Sequence, residues 1–368
     1  KLIKDQMGTI DPPKNNNVTN AAYPIISDGA SLTQWKAKAS KIKSAVTQQI
    51  RFLITGDSWT EHKTITNELL ALLRAEYGET SSGWINLGAE NNQLDDIAVA
   101  ISGGWQYNDL DLGTLFPYSS GPDGFIRTSL VAGNTITVSN MSKGDKLTMF
   151  FGKTDGTFKY SVNGGVENTI TATSTGTTVQ SATITLTAPT SELLITTMTG
   201  TVVFFGFHLR KSTGSGVEVT KIGNGGTTGQ DYLKISPTAQ TNFADYLKPD
   251  VVVIILGTND YRKGHSVANY KAGISAIIDG YRTNNANCGV ILIAPAQSNS
   301  TPLIPLSDYR DAIYEIAKLK QAEFYNMYDD WNTFAAENSN QMWVDTAHLT
   351  KSGAYRLSKK LYKNFLEM

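Results

Sequence analysis

The stretch Arg51-Phe-Leu-Ile-Thr-Gly-Asp-Ser58-Trp places a serine directly after an apolar run and a glycine. The residues 51–55 predict a β-strand, and the leucine spacing that follows predicts a helix over 60–77, which Gly78 would end. A serine between a strand and a helix lies at the edge of a sheet, where it can act as a nucleophile. Ser58 is therefore the first candidate catalytic residue.

The second half of the sequence alternates short apolar runs with segments of helical spacing. The run 251–256 is wholly apolar, as expected for a strand covered on both faces. Such alternation predicts right-handed strand–helix–strand crossovers and a doubly wound parallel sheet, hence an α/β fold. Strands are predicted at 51–55, 217–222, 251–256, 290–294 and 323–328, and helices at 31–49, 60–77, 240–247, 269–282, 306–320 and 351–365.

Three further motifs follow predicted strands or precede the last helix. They are Asn224-Gly-Gly226-Thr-Thr-Gly229, Gly257-Thr-Asn259-Asp260 and Trp343-Val-Asp345-Thr-Ala-His348. Because ligand sites in doubly wound sheets lie at the carboxyl ends of the strands, we expect the first two motifs near Ser58. A histidine with a carboxylate three residues earlier can act as a general base. A backbone N–H and an asparagine amide can stabilise an oxyanion.

In chain order, these motifs resemble the SGNH hydrolases, also called the GDSL esterase superfamily. The resemblance covers roughly 50–103 and 214–368. It implies a flavodoxin-like sheet and a serine esterase, without a cofactor, in which Ser58 is the nucleophile, His348 the base and Asp345 the residue that orients the base. It also implies that the backbone N–H groups of Ser58 and Gly226 and the side chain of Asn259 hold the oxyanion.

Each motif also has a structural alternative. Glu61 would complete a helix capping box with Ser58, and Asn259 could simply end a turn. The glycines over 224–229 are similar to a phosphate loop, but the Lys-Ser/Thr of a P-loop is missing. A dinucleotide fingerprint is excluded because Thr228 stands where glycine is required. A Gly-x-Ser-x-Gly elbow is absent, which argues against the α/β-hydrolase fold.

The segment 104–213 does not continue the strand–helix alternation. It contains short β-prone runs separated by turn residues, and Asn163-Gly-Gly165 predicts a tight hairpin. We predict an antiparallel β-sandwich inserted into a hydrolase domain formed by 31–103 and 214–368, preceded by an irregular arm over 1–30. Some esterases of the resembled family that act on polysaccharides carry a similar β-domain that is related to carbohydrate-binding modules.

Aromatic residues cluster where this insertion begins: Trp105, Tyr107, Phe116 and Tyr118. They are interpreted either as packing between or within domains or as a platform for stacking sugars, with Trp105 and Tyr107 as candidate substrate-binding residues.

Three histidines lie outside the candidate triad. His265 follows the Asn259 motif closely and could line the cleft. His62 is expected at the surface, and His208 is expected to serve packing.

Composition excludes several classes of function. The formal net charge of -1 argues against binding to the phosphate backbone of nucleic acids. No apolar run approaches the ~20 residues that a membrane-spanning helix needs. The single cysteine, Cys288, excludes an intramolecular disulfide and is expected to be buried and unreactive. No pair of the four histidines has metal-ligand spacing, so no metal site is predicted.

The resemblance and the insertion together favour removal of O-acetyl groups from a polysaccharide. The first residue is Lys and not Met, which suggests a fragment of a longer protein. Together with a composition rich in Asn, Thr and Gly, this resembles part of a bacteriophage tailspike. Such a protein would trim a bacterial surface glycan such as lipopolysaccharide. It would lie outside the cell or on the virion, as a homotrimer or attached to a larger spike.

Two alternatives stay open. One is a secreted bacterial acetylxylan or peptidoglycan O-acetyl esterase with the same machinery. The other belongs to a different class: a glycan-binding adhesin on an inactive hydrolase scaffold.

Overall fold

The fold is given by a computed structural model, which describes residues 23–112, 118–175, 178–187 and 191–368. Most of the arm predicted over 1–30, and Phe116 of the aromatic cluster, lie outside these ranges. The strands of the described ranges are β1 Gln49–Gly56, β2 Gly83–Ile85, β3 Ala98–Ile101, β4 Gln106–Asp109, β5 Phe125–Ser129, β6 Thr135–Ser139, β7 Lys146–Gly152, β8 Thr157–Val162, β9 Asn168–Thr171, β10 Val179–Thr185, β11 Leu193–Thr199, β12 Val202–Arg210, β13 Gly216–Lys221, β14 Val251–Ile255, β15 Gly289–Ala294 and β16 Glu323–Asn326.

Helices alternate with the strands β1, β13, β14, β15 and β16, as predicted. They are Thr33–Lys43, Ser58–Glu61, Lys63–Tyr77, Gly229–Tyr232, Pro237–Leu247, Thr258–Lys263, Val267–Thr283, Leu306–Leu319, Met327–Asp330, Phe334–Ser339 and Lys351–Leu361, followed by a π-helical turn Tyr362–Leu366. None of the helices in the described part of the chain is long and apolar enough to cross a lipid bilayer.

A five-stranded parallel sheet forms the centre of the α/β part of the chain, which we call the α/β domain. Its strand order is β13-β1-β14-β15-β16, and every neighbouring pair is parallel. Numbered among themselves, these strands run in the flavodoxin-like order 2-1-3-4-5. The prediction of a mixed α/β fold built on a parallel sheet is confirmed.

Alternate side chains of the parallel sheet enter two different hydrophobic clusters. Leu53 packs with residues of the helix Val267–Thr283 on one face. Phe52, its neighbour in β1, packs with residues of the helix Lys63–Tyr77 on the other face. Helices therefore cover both faces, which explains why the central strand β14 is buried at every position.

Antiparallel strands occupy the chain between β1 and β13. One sheet has the order β10-β7-β12-β5-β4, with β2 added beside β12, and the other has the order β3-β6-β11-β8-β9. Side chains from both sheets share one hydrophobic cluster; the rings of Phe158 and Phe204, for example, lie 4.8 Å apart between centroids. We call residues 83–210 the β-domain. Its shared core is what the predicted sandwich requires.

The β-domain begins before the boundary predicted at residue 104. β2 pairs with β12 through Trp84 and His208, and β3 pairs with β6 through Val99 and Val138. The sequence analysis had placed both strands in the hydrolase domain. β2 has 3 residues and β3 has 4, so neither is long enough to show a periodicity.

Two local predictions have different outcomes. Residues 163–167, which include Asn163-Gly-Gly165, join the antiparallel pair β8 and β9, so the hairpin is confirmed, with a longer connection than the tight turn predicted. The helix predicted over 60–77 is instead divided at His62, whose backbone is extended with ψ 143°.

Gly56 ends β1 at its contact with β14. Its backbone angle φ is 139°, in the region that favours glycine. A Cβ atom at this position would lie 1.7 Å from the carbonyl oxygen of Ile255. The two strand ends approach this closely because residue 56 has no side chain, and this approach fixes where the next residues, including Ser58, emerge.

We expect Gly56→Ala to destabilise the fold by about 3 kcal/mol, from backbone strain and overpacking together. Thermal unfolding followed by circular dichroism would measure the loss. Gly103→Ala is the control, because a Cβ there meets nothing within 4 Å. Equal melting temperatures for the two variants would contradict the close approach of β1 and β14.

Candidate active site

Ser58 begins a short helix directly after β1. The cap of this helix is Asp57, whose side chain accepts a hydrogen bond from the N–H of Trp59 at 3.1 Å. Glu61 does not close a capping box; its carboxylate accepts the N–H of Gly225 at 2.6 Å. The capping interpretation of Ser58 is therefore wrong, and its hydroxyl is left for other chemistry.

A chain of two hydrogen bonds joins the three predicted triad residues. Ser58 Oγ lies 2.7 Å from His348 Nε2, and His348 Nδ1 lies 2.7 Å from Asp345 Oδ2. With Nδ1 protonated, the imidazole donates to the carboxylate, and Nε2 can accept the proton of the serine hydroxyl. The arrangement is that of a nucleophile, a general base and an orienting carboxylate.

The carboxylate of Asp345 is held in its ionised form. Burial alone would raise its pKa, but hydrogen bonds from the His348 ring and from the backbone N–H groups of Ala347 and His348 outweigh burial and lower the pKa below its ordinary value. Each of those N–H groups lies 2.7 Å from Asp345 Oδ1. One oxygen thus anchors the loop, and the other orients the imidazole.

The loop that carries the triad base is fastened to the nucleophile turn. Trp59 donates its indole N–H to the carbonyl of Ala347 at 2.9 Å, and its ring packs edge-on against Trp343 at 5.8 Å. On the opposite side, Arg262 donates to the carbonyl of Thr346 at 3.3 Å. These contacts fix the distance between Ser58 and His348 although 290 residues separate them in the chain.

The segment that contains Gly226 lies beside Ser58, and Asn259 contacts that segment. We call residues 223–229 the oxyanion loop. A Cβ atom on Gly225 would lie 3.7 Å from Ser58 Cβ, so the loop lies against the nucleophile. The side-chain amide of Asn259 donates one hydrogen to the carbonyl of Thr227 at 3.1 Å, which leaves its second hydrogen free to donate. Within the described ranges, no residue accepts a hydrogen bond from the backbone N–H of Ser58 or Gly226.

His62 is a neighbour of the triad that the sequence analysis missed. It was expected at the surface, but it is half-buried and its ring centroid lies 4.9 Å from that of His348. Burial, followed by the nearby His348, lowers the pKa of His62. Its position four residues after Ser58, at the break between two helices, is a sequence signal that could have indicated proximity to the nucleophile.

The aromatic residues proposed to stack on sugars are largely occupied by protein contacts. Trp105 is 9% exposed, donates its indole N–H to the carbonyl of Thr135 and packs against Phe204. The structure therefore supports core packing for Trp105, and a role of this ring in stacking on sugars stays a prediction. The indole of Trp105 belongs to the shared core of the β-domain.

Tyr107 is half-buried and has several protein partners. Its ring stacks with Phe125, the guanidinium of Arg127 lies 4.1 Å from its ring centroid, and its hydroxyl donates to Asp109 at 2.7 Å. Burial, with the Asp109 carboxylate, raises the pKa of Tyr107. A role in binding substrate stays a prediction for this residue.

His265 lies at the end of the helix that carries Asn259. Its backbone N–H donates to the carbonyl of Asp260 at 2.9 Å, and its carbonyl accepts from Tyr309 at 2.5 Å. Its side chain is not among those that line the small cleft of Ser58, His62 and His348. A role for His265 in substrate binding stays a prediction.

Two further residues were expected to be structural. His208 is fully buried in β12, with Nε2 3.2 Å from Thr220 Oγ1. Cys288 is buried, and burial raises the pKa of its thiol to about 12. Among the residues that the structure describes, no group of three or more His, Cys, Asp or Glu side chains could hold a metal ion.

Comparisons with known proteins give a family match for part of the chain and a shared fold over most of it. Residues 196–356 match the model of the GDSL-like Lipase/Acylhydrolase family, and among curated proteins no sequence match was found. A solved peptidoglycan O-acetylesterase is 17% identical, with a TM-score of 0.74 over 92% of this chain and 96% of that chain. A family two carbohydrate esterase from Cellvibrio japonicus is 12% identical, with a TM-score of 0.28 over 73% of this chain and 98% of that chain.

Residues 196–356, which include Asn259, Asp345 and His348, are therefore similar to a GDSL-like hydrolase domain. The likeness to the peptidoglycan O-acetylesterase shows a fold shared over nearly the whole length of both proteins.

Replacing Asn259 tests the oxyanion site. We expect Asn259→Ala to lower kcat for a small acetate ester by about 10² to 10³ with little change in KM, because the amide acts on charge that develops in the transition state. Asn168→Ala, on the exposed edge strand β9, is the matched control and should stay within about twofold of the parent. An effect on KM alone would assign Asn259 to substrate binding instead.

Proposed function

We propose that this protein is a serine esterase that removes O-acetyl groups from a polysaccharide. The observation that carries the proposal is the hydrogen-bonded series Ser58–His348–Asp345, with 2.7 Å at each step, beside the donors of Gly226 and Asn259. A glycan-binding adhesin on an inactive scaffold would have no need of this alignment.

The reaction proceeds by acyl transfer through Ser58. Ser58 Oγ attacks the acetyl carbonyl carbon while His348 Nε2 takes the hydroxyl proton. The tetrahedral oxyanion accepts hydrogen bonds from the N–H groups of Ser58 and Gly226 and from the Asn259 amide. His348 then gives its proton to the leaving sugar oxygen as the carbon–oxygen bond breaks.

Water completes the cycle on the acetyl-enzyme. His348 takes a proton from the water, whose oxygen attacks the acetyl carbonyl, and then returns a proton to Ser58 Oγ as acetate leaves. Asp345 stabilises the imidazolium that forms in each half of the reaction. This route needs no cofactor.

Two observations favour a glycan as the alcohol part of the ester. The chain has a β-domain of two antiparallel sheets inserted before β13, a layout that fits a carbohydrate-binding accessory domain. A solved structure that shares this fold over 92% of the chain is that of a peptidoglycan O-acetylesterase. O-acetylated peptidoglycan is therefore the first substrate to test, and an O-acetylated bacterial surface polysaccharide is the second.

The setting in which the enzyme acts is a further part of the proposal. A bacteriophage tailspike that trims lipopolysaccharide or another surface glycan is supported by composition alone, as is an extracellular or virion location. A homotrimer, or attachment to a larger spike, would follow from that tailspike assignment. A secreted bacterial enzyme is the alternative location. Comparing acetate release from acetylated peptidoglycan, lipopolysaccharide O-antigen and acetylxylan would separate the three substrate classes.

Ser58→Ala tests the mechanism directly. We expect kcat on p-nitrophenyl acetate to fall by about 10⁴ to 10⁶, because the residual activity of the oxyanion donors alone is small. Ser44→Ala is the control; Ser44 lies just beyond the helix Thr33–Lys43, on the exposed surface. Activity of the Ser58 variant within about tenfold of the parent would contradict the proposed nucleophile.

A further inference from the structure

One lysine joins the oxyanion loop to the β-domain. Lys263 Nζ donates to the carbonyl oxygen of Gly226 at 2.6 Å and to Asp111 Oδ1 at 2.5 Å. Lys263 is the last residue of the helix Thr258–Lys263, which also carries Asn259. Asp111 follows β4 in the β-domain. Three segments that are distant in the sequence therefore meet at one ammonium group.

The carboxylate of Asp111 also contacts Gly226 directly. A Cβ atom on Gly226 would lie 2.3 Å from Asp111 Oδ2, so the carboxylate occupies the space where a side chain would be. Gly226 has φ 76°. Glycine adopts positive and negative φ about equally readily, so this angle is held only if neighbouring groups restrain it. Asp111 and Lys263 supply that restraint on the side of the loop away from Glu61.

The rest of the oxyanion loop is held by buried contacts. Glu61 accepts the N–H of Gly225 at 2.6 Å, and the fully buried Asn224 donates to the carbonyl of Asp123 at 2.9 Å. Asp123, like Asp111, belongs to the β-domain. The carbonyl oxygen of Gly226 itself has Lys263 as its side-chain hydrogen-bond partner among the described residues.

We propose that Asp111 and Lys263 are positioning residues that restrain the backbone of Gly226, so that the N–H of Gly226 can reach the oxyanion and the β-domain acts on catalysis. We call this arrangement of Asp111, Lys263 and Gly226 the loop clamp. The inference rests on the proposed esterase function. Misplacement of a catalytic group by about 1 Å can cost roughly 10² in rate, so a restraint on one peptide has a measurable effect.

Two single variants remove the loop clamp from either side. Lys263→Met keeps the length of the side chain and removes the ammonium, and Asp111→Asn keeps the shape and removes the charge. We expect kcat on p-nitrophenyl acetate to fall about 10- to 100-fold for the first and about 3- to 10-fold for the second, with KM within about threefold, because the clamp acts on the transition state. The double variant should lose less than the product of the two effects, since both act through one contact.

Lys271→Met is the matched control. Lys271 pairs with Glu315 at 2.7 Å, and its side chain is 41% exposed, as is that of Lys263. It should keep kcat within about twofold of the parent. A loss in Lys271→Met as large as in Lys263→Met would overturn the proposal, because the effect would then belong to any surface ion pair.

Hydrogen exchange gives a readout that does not depend on activity. Amide exchange in a peptide spanning residues 222–230 should become at least about fivefold faster in Lys263→Met, with unchanged melting temperature, and should stay at the parent rate in Lys271→Met. Unchanged exchange in Lys263→Met would overturn the loop clamp even if the parent is a good esterase. A parent that hydrolyses no acetate ester would overturn the proposed function, while faster exchange in the variant would still support the clamp.

Discussion

The close contact between the ends of β1 and β14 is the constraint on which the site depends. The N–H of Asp57 donates to the carbonyl of Ile255 at 3.2 Å, and the absence of a side chain at Gly56 permits this distance. The turn that carries Ser58 and the turn that carries Asn259 therefore leave the sheet side by side. Parallel strands place their carboxyl ends at one edge, and this contact brings two of those ends into hydrogen-bonding distance.

The short helix Thr258–Lys263 then connects the other functional segments. Asn259 donates to Thr227 in the oxyanion loop, and Arg262 donates to Thr346 in the loop of the triad base. This helix of 6 residues thus contacts both the oxyanion loop and the loop that carries His348. A shift of this helix would change both at once, which couples oxyanion binding to the position of His348.

The β-domain is packed as part of the α/β domain. The ring of Phe150 in β7 lies 5.5 Å from that of Phe243 and 4.8 Å from that of Tyr246, both in the helix Pro237–Leu247. Trp84 of β2 enters the same hydrophobic cluster as the parallel sheet. A short loop in place of the β-domain would expose these rings to water, so the two parts depend on each other for stability.

The sequence by itself determined the parallel sheet and predicted the candidate triad residues, because these signals are local: buried strands have apolar runs, and Asp345 and His348 lie three residues apart. Tertiary structure alone decided the rest. The pairing of β2 with β12, the burial of Trp105, the approach of His62 to His348 and the contact of Lys263 with Asp111 join residues through long-range packing. No local spacing encodes such contacts, since each depends on which surfaces the assembled sheets bring together.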